Sequence, residues 1–154
     1  MEAIQHNPPE IRPIRSDDLP AVIDIDSKYT RQARPEYLKQ KLDEALDASQ
    51  GLVSSMVAEI DGKVVGFVMG KVFVGEFGIP ETSATIDTIG IDPEFGGRGV
   101  AKDLLDAFLT HLSAAGVESV QTLVNWEDGT LLRFFSSNQF TPSKTINLER
   151  KIAR

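Results

Sequence analysis

Apolar positions along this chain recur at two different periods, and the changes of period divide it into elements. In "RPEYLKQKLDEALDAS", Tyr37, Leu38, Leu42, Ala45 and Leu46 are spaced for one face of a helix, with Gly51 as its stop. The preceding "SDDLPAVIDIDSKY" predicts another helix, with Ser16 as its capping residue and acids in its first turn. The period then falls to that of strands. "LVSSMVAEI", the turn "DGK" and "VVGFVMGKVFV" predict a β-hairpin, because Asp-Gly between apolar runs favours a tight two-residue turn. "GEFGIPET" reads as a loop and "SATIDTIGI" as the next strand. Val100 to Ala115 is the strongest helical pattern, with Val100, Leu104, Leu105, Phe108 and Leu112 on one face and Gly116 placed for a C-terminal cap. "VESVQTLVNW" predicts a strand, "GTLLRFFSSNQ" a short helix and "TINLERKI" a final strand.

At the start, "IRPIR" is a short extended piece, and residues 1–10 are a polar, proline-containing mobile tail. The order β-α-α-β-β-β-α-β-α-β predicts a mixed sheet with helices packed on it, as a single domain over residues 11–154.

Composition narrows the chemistry. With 41% hydrophobic and 25% charged residues the chain is a globular protein. It has no cysteine, which excludes a disulfide framework, a thiolate nucleophile and a cysteine metal site. The two histidines, His6 and His111, are far apart, so no metal site is expected. The start lacks the basic and apolar regions of a signal peptide, and no apolar run reaches membrane-spanning length. A cytoplasmic protein with no membrane partner is the expectation. A net charge of −7 argues against nucleic-acid binding and mildly favours a cationic substrate.

The chemical signal lies in "IDTIGIDPEFGGRGVAKDLLDAFLTHL", Ile86 to Leu112, where three glycines in four residues precede a helix. A phosphate-binding P-loop needs a Gly-Lys-Ser/Thr ending, which "GGRGVAK" lacks. The dinucleotide fingerprint fails at Lys102, which stands at its third glycine, and at the Asp92-Pro93 break after the strand. What remains is a loop of bare N–H groups at a helix N-terminus, suited to a phosphate or pyrophosphate. Arg98 and Lys102 add cations where a helix start usually prefers acids. Taken alone, the glycines serve a tight turn equally well.

In its context, "IDTIGIDPEFGGRGVAKDLL" resembles motif A of the GNAT superfamily of acetyl-CoA-dependent N-acetyltransferases: strand, Asp-Pro, then Gln/Arg-x-x-Gly-x-Gly/Ala opening a helix. The x-x-Gly-x-Ala part fits, while the leading Gln/Arg is Gly96. The helix pair, the hairpin and the closing "LLRFFSSNQF" fall in the family's order, so the resemblance covers nearly all of residues 11–152. It implies an α/β fold with a mostly antiparallel mixed sheet of six to seven strands and about four helices. It also implies acetyl-CoA as cosubstrate, direct attack by a small-molecule or protein amine in a ternary complex, and the option of a homodimer.

The resemblance further implies that backbone N–H groups of Gly97, Arg98, Gly99, Val100, Ala101 and Lys102 cradle the CoA pyrophosphate. Ile89, Gly90 and Ile91 would pair with the pantetheine amides, and an N–H near Ile91 would steady the oxyanion. Two family features are altered. Counting back from Phe140 places Phe135 at the tyrosine that commonly protonates the leaving thiolate, and Asp128 at the usual asparagine, with Asn125 a substitute at the wrong offset. Phe135 cannot donate a proton, but a CoA thiol is acidic enough to leave without a strong acid.

For a base, Asp87 lies on the strand before the loop, where some relatives carry a carboxylate, and shares strand parity with Ile89 and Ile91 unless a bulge intervenes. A solvated edge residue or a partner for a nearby helix is the competing reading of Asp87. Glu76, Glu81, Asp87, Asp92 and Glu94 form a run without Lys or Arg, favouring a cationic amine, whereas Arg31 and Arg34 would suit an anionic acceptor. His111 reads as structural, Glu127 as solvated, Trp126 and Phe134 as core or cleft wall, and Tyr29 and Tyr37 as packing residues that are alternative acids. A non-catalytic acyl-CoA-binding or sensing domain of the same fold is the alternative function.

Overall fold

The computed structural model describes residues 8–30, 33–47, 55–75, 78 and 80–153. They form two compact units, divided after Leu123, each of which is described by itself. Residues 1–7 of the tail, Arg31, Gly51, Glu76 and the "LVS" that opens the hairpin lie outside the described residues.

The first unit is a five-stranded sheet in sequential order: β1 (Glu10–Pro13), β2 (Met56–Ile60), β3 (Lys63–Val74), β4 (Thr82–Ile91) and β5 (Ser119–Thr122). β1 takes in Glu10, the last residue assigned to the tail. All pairs are antiparallel except β4 with β5, which is parallel. The hairpin turn is the Asp61–Gly62 pair, both at positive φ (51° and 79°), the geometry that matches the strand twist.

Three helices complete this unit: α1 (Leu19–Thr30), α2 (Pro35–Ala45) and α3 (Val100–Ala114). Strand alternation divides them between the two faces. Phe67 and Met69 of β3 join Val22 and Ile25 of α1 and Leu38 and Leu42 of α2 in one buried cluster. The opposite parity of β3 faces α3: a Cβ added at Gly70 would lie 2.7 Å from the Phe108 ring, and one at Gly66 would lie 3.0 Å from Leu104. The predicted α3 face, Val100, Leu104, Leu105, Phe108 and Leu112, is buried throughout. Gly116 follows that helix at φ +85°, as a C-terminal cap requires.

Ser16 does not cap α1. Residues Ser16–Asp18 form a single 3₁₀ turn entered from Arg15, and the buried Asp18 carboxylate accepts the Arg15 N–H at 2.7 Å. Arg12 of β1 grips Asp18 through both terminal nitrogens (2.7 and 2.8 Å) and Glu59 of β2 through Nε (2.8 Å), fastening the start of α1 to the sheet. Arginine's planar fork makes this a two-sided bridge that a lysine could not reproduce.

The second unit contains α4 (Gly129–Ser137). Its Phe135 is buried, with ring centroids 5.2 Å from Phe134 and 4.9 Å from Phe140. The four helices match expectation; the strand count does not. Among the described residues there are five strands rather than six or seven. "VESVQTLVNW" is strand only over Ser119–Thr122, where β4 supplies a partner, and "TINLERKI" has no regular structure. A strand is held by its neighbour's backbone, and the alternating Ile146 and Leu148 do not replace that neighbour; both stay exposed. No helix among the described residues is long and apolar enough to cross a membrane.

Candidate functional site

β4 changes character halfway along. Ser83 to Ile86 pair with β3 on one side and with Ser119–Thr122 of β5 on the other. The β5 ladder ends at Ile86↔Thr122, where Thr122 Oγ1 also donates to the Ile86 carbonyl at 3.1 Å. From there to Ile91, β4 is paired, among the described residues, only with β3.

The register with β3 slips at the same point. Met69 opposes Thr88 while Gly70 opposes Ile86, so Asp87 is an extra residue, a β-bulge. The bulge reverses the face of Asp87. Ile91 points its side chain toward Gly66 on the α3 side, whereas Asp87 Oδ2 lies 3.6 Å from Lys41 Nζ of α2 on the other. The shared parity of Asp87 with Ile91 is therefore corrected; Asp87 faces the α1–α2 side, partly exposed, as the ion-pair partner of a helix.

Beyond the bulge, one peptide fixes the direction of the backbone. The N–H of Asp92 donates to Val65 O of β3 at 2.8 Å, so the C=O of Ile91, across the same peptide, points away from β3. Within a strand a residue's N–H and C=O share a side, so the Ile91 N–H, and by alternation that of Ile89, also point outward. Gly90 faces β3. Tyr29 of α1 donates its hydroxyl to that outward Ile91 carbonyl. Burial raises the Tyr29 hydroxyl above its ordinary pKa against the opposing effect of this hydrogen bond.

After β4, Asp92 begins a 3₁₀ turn, Pro93–Phe95, and its buried carboxylate accepts the Glu94 N–H at 3.1 Å. Gly97 and Gly99 then adopt left-handed conformations (φ 76° and 78°) that penalise any side chain with a Cβ. A Cβ at either would meet nothing within 4 Å, so backbone conformation, not crowding, demands the glycines. Arg98 between them is exposed, with its guanidinium 5.0 Å from the Phe95 ring centroid.

Gly99 is the N-cap of α3 and offers no side chain to it. The first intrahelical bond is Asp103 N–H to Gly99 O at 3.0 Å, so the N–H groups of Val100, Ala101 and Lys102 have no acceptor within the helix. Fifteen residues of aligned peptide dipole stand behind them. The ammonium of Lys102 does not join this end. It pairs with Asp106 at 2.7 Å along the helix, which raises its pKa, and only its N–H stays with the loop.

The bare helix start and the outward edge of β4 together form a polar backbone track suited to a phosphate followed by an extended amide-bearing chain, which is the chemistry of CoA.

In the second unit, Asn125 and Asp128 serve local turns. Asn125 Oδ1 accepts the Glu127 N–H at 2.8 Å, and Asp128 Oδ1 caps α4 through the Leu131 N–H at 3.0 Å. Phe135 belongs to an aromatic cluster, and Glu127 is solvated as expected. Trp126, expected in the core or on a cleft wall, is 89% exposed and so is not a core residue. Its neighbours in 125–128 are bound to one another in a tight turn.

Arg34 is engaged in an ion pair within the first unit. It makes a two-nitrogen bridge to the buried Asp26 (2.7 and 2.8 Å), and its guanidinium lies 4.6 Å from the Tyr37 ring centroid. His111 is half-buried on α3, away from the loop, consistent with a structural role.

Two side chains escaped the reading of the sequence: Lys28, 3.1 Å from Asp92, and Lys41, beside Asp87. Lys28 and Tyr29 adjoin in the chain and reach the same strand end, but helical periodicity carries no sign of a contact 64 residues away.

The "Acetyltransferase (GNAT) family" model matches residues 19–136. Acetyltransferase ECA0875 of Pectobacterium atrosepticum is 26% identical over 147 residues, covering 93% of this chain and 95% of that protein. Among solved structures, the aminoglycoside N-acetyltransferase AAC(6')-Iy in complex with CoA superposes with a TM-score of 0.79 at 18% identity, covering 99% of this chain and 100% of that one. Ard1 from Thermoplasma volcanium gives 0.72 at 24% identity, covering 88% and 84%. The chain belongs to the GNAT family of acetyltransferases, whose cosubstrate is acetyl-CoA.

Proposed function

We propose that this acetyltransferase moves acetyl from acetyl-CoA to a primary amine of a cationic acceptor by direct attack, with both substrates bound at once. The observation that carries this reading is the continuity of the open β4 edge, the left-handed glycine loop and the uncapped α3 start. In this reading the N–H groups of Gly97 through Lys102 bind the pyrophosphate and the outward groups of Ile89 pair with pantetheine, Gly90 facing β3 and the Ile91 carbonyl being held by Tyr29. The Ile91 N–H supports the developing oxyanion. The absence of cysteine agrees with a route that has no acyl-enzyme.

Asp87 is the proposed base and ammonium contact. Its bulge carries the carboxylate off the ladder with β3 and onto the α2 face, and Lys41 occupies it with an ammonium of the kind an acceptor would bring. In the second unit, Asn125, Asp128 and Phe135 are the residues that the family resemblance assigns to donor binding, and Phe135 has no hydroxyl with which to give a proton. One solved relative in fold, the aminoglycoside acetyltransferase meta-AAC0020, is described in complex with sisomicin, so polycationic small amines head the acceptor screen. The test is CoA-thiol release from acetyl-CoA against a panel of polyamines, aminoglycosides and peptides. Saturable, amine-dependent release supports transfer. Tight acetyl-CoA binding with no release for any amine supports the second reading, an acyl-CoA-sensing domain, which the hydroxyl-free Phe135 favours.

A further inference from the structure

The last turn of α1 meets the end of β4 through two consecutive residues. Lys28 Nζ lies 3.1 Å from Asp92 Oδ2, and Tyr29 donates to the carbonyl of Ile91. Asp92 is only 1% exposed and draws a second cation, Lys63 Nζ at the start of β3, to 3.9 Å. Its N–H is held by Val65 O, its C=O accepts the Phe95 N–H at 2.8 Å, and its carboxylate caps Glu94. One carboxylate therefore joins α1, β3 and the turn that leads into Gly96–Gly99.

The peptide between Ile91 and Asp92 is pinned from both sides. Val65 holds its N–H from β3, and Tyr29 holds its C=O from the open edge. That peptide stands between the outward N–H of Ile91 and the first residue of the glycine turn.

We propose that Lys28 and Tyr29 are positioning residues for the acetyl-CoA cradle, acting through Asp92 and the Ile91 carbonyl. The inference rests on the cradle assigned above and adds that α1 controls donor binding. A buried carboxylate that loses its principal cation must move toward water or take up a proton. Either response loosens the Glu94 cap and changes the path of the chain into Gly97 and Gly99. Burial alone would raise the Asp92 carboxyl, but the Glu94 N–H, Lys28 and Lys63 together hold it below its ordinary range. The ion pair is thus formed at neutral pH.

The test is calorimetric titration of acetyl-CoA into the wild type, Lys28→Met, Lys28→Arg, Tyr29→Phe and Gly99→Val. It is read together with amide hydrogen exchange over residues 93–99 and over β2 and β3. Lys28→Met is expected to bind about tenfold more weakly, a typical coupling between sites. Exchange should quicken in 93–99 but not in β2 or β3, and Lys28→Arg should restore most of the affinity. Tyr29→Phe should show a smaller loss of the same kind. Wild-type affinity in Lys28→Met, or faster exchange spread evenly over the sheet, would overturn the proposal. Gly99→Val separates the two levels of the argument. If it weakens binding while Lys28→Met does not, only the clamp is wrong; if it binds normally, the cradle is wrong as well.

Discussion

The two halves of β4 differ in what completes them. Ser83 to Ile86 carry a strand on each side and bury Ala84 and Ile86. Ile89 and Ile91 have β3 on one side and an outward edge on the other. An unpaired edge is a liability that proteins usually cover, shorten or charge. Here it begins at a bulge and ends at a glycine loop, so a ligand with its own amides can serve as the missing strand. The first half is held by the chain's own contacts; the second keeps backbone groups in reserve.

Proline placed at adjacent positions breaks this contrast most sharply. Ile91→Pro removes an outward N–H and leaves the β3 ladder intact, as edge positions allow. It should lower kcat by about 10²- to 10³-fold, the usual cost of losing an oxyanion donor, with far-ultraviolet circular dichroism unchanged. Gly90→Pro removes a group that faces β3 and should yield no folded protein. If both variants fold and both turn over normally, the assignment of inward and outward groups on β4 is wrong.

The bulge gives the next largest effect. Asp87→Asn should reduce kcat by about 10²-fold, the scale of general-base catalysis, with acetyl-CoA affinity unchanged. Lys41→Met should act in the opposite sense, lowering KM for a cationic acceptor severalfold because no internal ammonium competes for Asp87. A lower kcat for Asp87→Asn accompanied by an equal loss of acetyl-CoA affinity would make the residue structural.

Gly99→Val tests the far end of the track. A β-branched residue at φ +78° costs about 1–3 kcal/mol of backbone strain, although nothing within 4 Å obstructs its Cβ. Escape from that conformation turns the N–H groups away from a common centre. Acetyl-CoA affinity should fall about 10- to 100-fold while the melting temperature drops by only a few degrees.

Much of this was legible in the sequence because it is local. The α3 face follows from Val100, Leu104, Leu105, Phe108 and Leu112 at helical spacing, the hairpin from Asp61–Gly62, and the loop conformation from Gly97 and Gly99. Features that depend on register or on distant partners were not legible. The bulge at Asp87 arises from how β4 lies against β3, so counting alternate residues put its side chain on the wrong face. The pairing of Lys102 with Asp106 was available at i,i+4 spacing, yet the glycines beside it suggested a role in the loop. The final strand over 145–152 failed because alternation describes a face to be buried and says nothing of a partner strand. Among comparisons, the family model supports acetyl transfer, the coarser part of what motif A implied, while the proposed acceptor contacts, Asp87 and Lys41, are side chains that no backbone motif specifies.

The smallest effect, and the most specific to the join between β4 and its loop, is the pH dependence of the Lys28–Asp92 pair. Asp92 titrates below its ordinary 3.8 in the folded protein. Its contribution to stability is therefore complete above that value and is lost as pH falls through the folded pKa. Lys28 is shifted the other way, above 10.5, chiefly by its hydrogen bond to Asp92. Its contribution is complete below 10.5 and is lost as pH rises through the raised value. The difference in melting temperature between wild type and Lys28→Met should thus be constant from about pH 5 to about pH 9, shrinking in acid below about pH 4 and again in alkali as Lys28 loses its proton. Because Lys28 is partly exposed, salt should reduce that difference without abolishing it, the buried carboxylate being less screened than its partner. A difference that already changes between about pH 5 and pH 8 would mean that Asp92 takes up a proton once Lys28 is lost, instead of moving toward water.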